Sequence, residues 1–231
     1  MDVRNLKNKF SIEKAREAQL RLSKKVIRED LLSNNIQLVA GVDATYLNSL
    51  SISATTVLDY SSLKVLETKT AICKTRFPYI PTLLSFREAP LLMRSIKKLR
   101  LRPDVFLVDA HGYAHPYRCG LACHLGVVTE RPTIGVAKSR LIGEVEDTPD
   151  KVRDVSMIKH RGEVVGALVR TQQDSRPIYV SVGHMISLNT SINIVKQCTP
   201  HTRIPEPILK AHRAANKVKE KIRKKLNGTG R

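Results

Sequence analysis

Long apolar runs are missing from this 231-residue chain. No stretch approaches the roughly 18–20 residues of a membrane span, and the opening segment MDVRNLKNKF has no apolar stretch of the kind that directs secretion. Cysteine is scarce as well. Cys73, Cys119, Cys123 and Cys198 are too few and too scattered for a disulfide framework. The expectation is a protein of a reducing, cytoplasmic compartment with no membrane contact. Neither an internal repeat nor a low-complexity linker interrupts the sequence. Acidic residues are the other shortage, with 21 Asp and Glu against 40 Lys and Arg and a formal net charge of +19.

What is present is a globular composition, 42% hydrophobic, of a length that suits one domain with its own core. The excess charge sits at the ends. Residues 1–28 hold nine basic and three acidic side chains and residues 210–231 hold nine and one, while the stretch between carries 22 and 17. Basic ends on a nearly balanced body suit a polyanion, nucleic acid first among them. The run KVKEKIRKK in particular is expected to track phosphates.

Hydrophobic spacing predicts a helix over 11–33 that starts at Ser11. Three β-rich runs follow at 36–46, 51–60 and 64–73, joined by short turns, as in an antiparallel meander. A Pro-punctuated loop leads to a helix over 87–101 with Pro90 in its first turn. VFLVDA (105–110) and TIGVA (133–137) read as buried parallel strands with a helix near 119–127 between them. A hairpin (153–159 and 163–170), a strand at 178–183 and helices at 187–197 and 206–226 complete the chain. The fold class is α/β: one mixed sheet, three antiparallel strands followed by parallel strands, flanked by helices, over residues 1–231 as a single domain.

Asp43 lies inside the apolar run LVAGVDATY, and Asp109 ends VFLVDA. A carboxylate in an apolar strand is costly unless paired or metal-bound. If the first and fourth strands are neighbours, the two side chains meet, and Glu88 can add a third oxygen ligand. Carboxylates crowded together repel one another, which a hard cation such as Mg²⁺ relieves. The competing reading makes them caps or partners of Arg and backbone N–H.

GVDATY around Asp43, PYIPTLLSFREAP around Glu88, VDAHGYAHPYRCGLACHLG around Asp109, GVAKS around Lys138 and VSVGHMISL together resemble the endonuclease V family, from about residue 36 to residue 212. The resemblance implies an RNase H-like fold and a Mg²⁺-dependent deoxyinosine 3′-endonuclease, with Mn²⁺ as a substitute metal. Such an enzyme hydrolyses the second phosphodiester bond 3′ to a deaminated base in DNA, chiefly hypoxanthine. It also implies Asp43, Glu88 and Asp109 as metal and catalytic carboxylates, His212 as a further catalytic residue and Lys138 at the scissile phosphate. Tyr79, flanked by Pro78 and Ile80, would be a wedge between stacked bases. Thr82, Leu84, Ala110, Gly112 and His115 would line the pocket for the extruded base. The family usually has glycine where this chain has Thr82 and Ala110, which bears on base selectivity. A monomer is expected. Rival readings are a ribonuclease acting on inosine in RNA, another RNase H-like nuclease, a binder without catalysis, and a zinc module at His115, Cys119, Cys123 and His124.

Overall fold

In a computed structural model, residues 11–33, 35–75 and 77–228 are described. The rest of both basic ends, residues 1–10 and 229–231, lies outside them. The elements run α1 (Ile12–Ser23), β1 (Leu38–Leu47), β2 (Leu50–Asp59), β3 (Val65–Lys74), α2 (Leu84–Ile96), β4 (Val105–Val108), α3 (Leu121–Thr129), β5 (Thr133–Ala137), β6 (Val155–His160), β7 (Glu163–Val169), β8 (Ile178–His184), α4 (Leu188–Gln197) and α5 (Glu206–Gly228).

All eight strands form one sheet in the order β3-β2-β1-β4-β5-β8-β7-β6. β1, β2 and β3 make the antiparallel meander, and β1, β4 and β5 run parallel. Beyond β5 the sheet returns to antiparallel pairing through β8, β7 and β6.

Side chains alternate across the sheet with the period of two that a pleated strand imposes. Val39, Val105 and Leu107 join the layer beneath α4 and the start of α5. Ala40, Val42, Phe106 and Val108 face the other way, toward Leu92 of α2 and Leu125 of α3. The central strands are buried on both faces, which explains their unbroken apolar runs.

Two sequence expectations need correction. The first helix ends at Ser23 rather than near 33. Its continuation is pulled extended along the end of β8, where Ile27 accepts from the Met185 N–H and Leu31 donates to the Met185 carbonyl. Asp30 then caps α4 by accepting from the Ser187 backbone and the Thr190 hydroxyl. Second, α2 begins three residues before its expected start, so Pro90 falls in its interior rather than its first turn. The Pro90 ring faces solvent, and the missing N–H costs one helical hydrogen bond there. The C-terminal basic helix packs one face on the sheet: Ala211, Ala215, Val218 and Ile222 lie against Ile52 and Ala54 of β2.

Gly41 sets how close α5 approaches the sheet, because a Cβ on it would collide with the Pro207 backbone. Gly41→Ala should therefore destabilise the fold by about 1–3 kcal/mol through overpacking. Denaturant unfolding reads this as a lowered midpoint at unchanged slope, and an unshifted midpoint would contradict the close contact.

Candidate active site at the ends of two parallel strands

The parallel pairing of β1 with β4 is in register at Val42 and Val108, so the next residue on each strand is an aspartate. Asp109 N–H donates to the Val42 carbonyl at 3.4 Å, extending the ladder by one step. Neighbouring residues in register share a face, so Asp43 and Asp109 lie on the same side of the sheet, toward α5. Glu88 reaches the strand ends from α2 in the opposite layer.

Each acid has its own donor. His212 Nδ1 stands 2.7 Å from Asp43 Oδ2, and Asn216, one turn further along α5, stands 2.9 Å from His212 Nε2. With the Asn216 amide donating, the imidazole proton sits on Nδ1 and is given to Asp43. Lys138 Nζ donates to Asp109 Oδ2 at 2.5 Å. The Tyr46 hydroxyl donates to Glu88 Oε1 at 2.8 Å, with the Arg87 guanidinium 4.2 Å from the Tyr46 ring centroid.

Burial raises the Asp43 carboxyl above its usual range, and the Asp109 charge raises it further. Glu88 is pushed up to about 7, first by burial and then by Asp43 and Asp109, against the opposing Tyr46 hydrogen bond and Arg87. The three acids thus feel one another's charge. Among the described residues, no three His, Cys, Asp or Glu side chains gather tightly enough to form a ready metal nest. The donor set nonetheless fits a hard divalent cation: all oxygen, mutually repelling, and held by donors that a cation would replace.

Beside these acids lies a cavity of about 270 Å³ lined by Gln19, Tyr79, Thr82, Leu84, Ala110 and His115, with Ser139, Arg140 and Leu141 across from them. Tyr79 stands on its rim, 67% exposed. His115 is buried and its Nδ1 accepts from the Tyr117 N–H at 3.2 Å. Burial holds its pKa down at about 4, so the neutral ring carries its proton on Nε2. Thr82 takes a left-handed backbone, φ +70°. That is an outlier for a β-branched residue and the geometry glycine would adopt without strain. Ala110 is not left-handed, so a side chain there narrows the cavity without straining the chain.

Gly112 does not line the cavity, contrary to expectation. Its N–H donates to Ser181 Oγ at 2.9 Å and its carbonyl accepts from Gly120, so it serves packing under β8. Pro78 and Ile80 are half-buried flanks of Tyr79 and are not part of the cavity wall. The wall also takes a side chain from α1. Gln19 is fully buried and donates both Nε2 protons, to the Thr82 carbonyl at 3.0 Å and the Cys119 carbonyl at 2.7 Å. Its signal was available: an amide four residues after Ala15 on an otherwise apolar helix face. Asn216 also had a signal, its i+4 spacing from His212. Tyr46 had none. The zinc grouping is not assembled: among the described residues, no three of His115, Cys119, Cys123 and His124 gather closely enough to hold a metal ion.

A mixed sheet whose central parallel strands end in adjacent aspartates, with a third carboxylate reaching over from a helix, is the RNase H-like arrangement that the resemblance implied. A family model of Endonuclease V matches residues 20–213. Endonuclease V of Thermofilum pendens is 43% identical over 213 residues, 92% of this chain and 90% of that protein. The crystal structure of endonuclease V from Streptomyces avermitilis superposes with a TM-score of 0.87 at 34% identity, covering 92% of this chain and 94% of the other. Ciona intestinalis endonuclease V, in complex with a 24mer DNA containing an inosine followed by a ribo-adenosine, gives a TM-score of 0.80 at 33% identity over 91% of this chain and 98% of its own. This chain belongs to the endonuclease V family.

The buried histidines make a testable demand. His115 and His124 both titrate at about 4 in the fold, against an ordinary 6.5. A depressed pKa means that the unfolded chain binds the proton first, so their contribution is complete above pH 6.5 and is lost as pH falls toward 4. Thermal melts should drop across that window, and His124→Gln should lose less over the same range. Identical pH slopes for the two proteins would contradict it.

Proposed function

We propose that the protein is a Mg²⁺-dependent endonuclease of damaged nucleic acid that recognises deoxyinosine and hydrolyses the second phosphodiester bond 3′ to it, with Mn²⁺ as a substitute metal. The observation that carries this reading is the side-by-side placement of Asp43 and Asp109 at the ends of β1 and β4, with Glu88 reaching toward them from α2, next to a cavity rimmed by an exposed tyrosine. Asp43, Asp109 and Glu88 would hold the metal. When bound, it would supply an activated water and neutralise charge on the leaving oxygen.

The chain's own groups do the rest. His212, kept upright by Asn216, holds Asp43 through its Nδ1–H and so would orient that carboxylate toward the metal. Lys138, released from Asp109 once that acid has another partner, brings an ammonium to the phosphate as a point charge. Tyr79 would enter the stack, and an extruded base would occupy the 270 Å³ cavity. A hypoxanthine carries a carbonyl where adenine has an amine, so N–H donors on the cavity wall would accept one and reject the other. Thr82 and Ala110, in place of the family's usual glycines, tighten that wall and bear on which deaminated bases fit.

A second reading, cleavage of inosine in RNA, draws support from the ribo-adenosine that follows inosine in the Ciona complex. Side-by-side digestion of DNA and RNA strands bearing a single inosine, with product ends mapped, separates the two. The expected result is a Mg²⁺-dependent nick one nucleotide beyond the 3′ neighbour bond in the DNA strand. Asp43→Ala or Asp109→Ala should abolish that nick by a factor of about 10³ or more while strand binding persists. Tyr79→Ala should erode the preference for inosine over adenosine strands. Metal-independent cutting, or a strand that is bound and never cut, would overturn the assignment.

A further inference from the structure

A second concavity, about 480 Å³, opens on the other side of α2, between that helix and the end of β3. Lys74, Arg87 and Arg94 line it together with Phe77 and Phe86. None of the three cations is ion-paired to a carboxylate among the described residues. The two phenylalanine rings lie nearly parallel, 22° apart in plane and 6.3 Å between centroids, and form an aromatic wall. Cations around an aromatic wall are the means by which proteins hold a nucleotide without reading its sequence: phosphate on the charges, base on the rings.

Its place relative to the acids is fixed by short chain connections. In α2, Leu84 and Ser85 face the 270 Å³ cavity, while Phe86, Arg87 and Arg94 face the cleft. In the preceding loop, Phe77 turns to the cleft and Tyr79 to the cavity. Ser51, on the cleft wall, is the β2 partner of Tyr46, whose hydroxyl holds Glu88. The cavity and the cleft are thus walled by the same helix and the same preceding loop. We propose that this cleft seats a flanking nucleotide of the bound strand, a second subsite that anchors the strand by phosphate and stacking independently of the damaged base. The proposal rests on the nuclease reading of the acids.

The test uses the double variant Lys74→Ala/Arg94→Ala. Both side chains are exposed, and neither belongs to the catalytic or base-holding groups. Single-strand affinity is measured without divalent metal, so that strands are bound and uncut, from 50 to 200 mM salt, with inosine-containing and undamaged strands. The double variant should show a log–log salt slope shallower by about 1.4, equivalent to losing about sevenfold less affinity over that range, on both strands alike. Cys73 gives a second readout. It lines the cleft and is half-buried, whereas Cys119, Cys123 and Cys198 are buried, so a maleimide reports on it alone. Saturating strand should slow its labelling in the wild-type protein. An unchanged salt slope, or Cys73 labelling as fast with strand bound as without, overturns the proposal. Loss of inosine-specific cutting would overturn the nuclease reading instead and leave these two measurements untouched.

Discussion

The pairing of β1 with β4 governs the site. Once Val42 and Val108 are in register, Asp43 and Asp109 must stand side by side on one face of the sheet, two like charges taken partly out of water. The rest of the surroundings answers that repulsion. Gly41 lets α5 press against β1 so that His212 can reach Asp43. Lys138, just past the end of β5, reaches Asp109, and Tyr46 on the neighbouring stretch of β1 reaches Glu88. Each donor reduces the desolvation cost of one acid without giving the three a common partner.

That arrangement has a physical logic for catalysis. Acids held by separate donors are kept from collapsing on one another, yet they remain coupled in charge, with Glu88 lifted to about 7. A group so poised gives up its proton readily when positive charge arrives nearby. The adjoining cavity holds one strained residue. Thr82 sits in a left-handed backbone, and the Gln19 amide ties its carbonyl to that of Cys119, joining the Thr82 loop to α1 and to the start of α3. The N-terminal helix, read at first as a basic surface element, thereby becomes a strut of the cavity.

Much of this was legible in the sequence because it is written in local pattern. Strand alternation, the unbroken apolar runs of β4 and β5, and an aspartate ending an apolar strand all follow from burial. The element boundaries that moved did so where tertiary contacts overrode local preference. Residues beyond Ser23 trade helix for pairing with Met185, and Pro90 is tolerated inside α2 because its ring meets solvent. Gly112 resembles a cavity glycine in sequence and is a packing glycine in space, since its hydrogen bonds run to residues far along the chain. Tyr46 and the cationic cleft beside Phe77 depend on which strands adjoin. No spacing rule along one segment could reveal them.

The account stands on the carboxylates acting as one ligand set for a divalent cation. The most direct measurement is Mn²⁺ binding followed by electron paramagnetic resonance in the wild-type protein and in Asp43→Asn and Asp109→Asn. Bound Mn²⁺ in the wild type that is lost in both variants, which remove a strand-end charge while keeping side-chain size, is the predicted result. Mn²⁺ retained at wild-type affinity in either variant would contradict it.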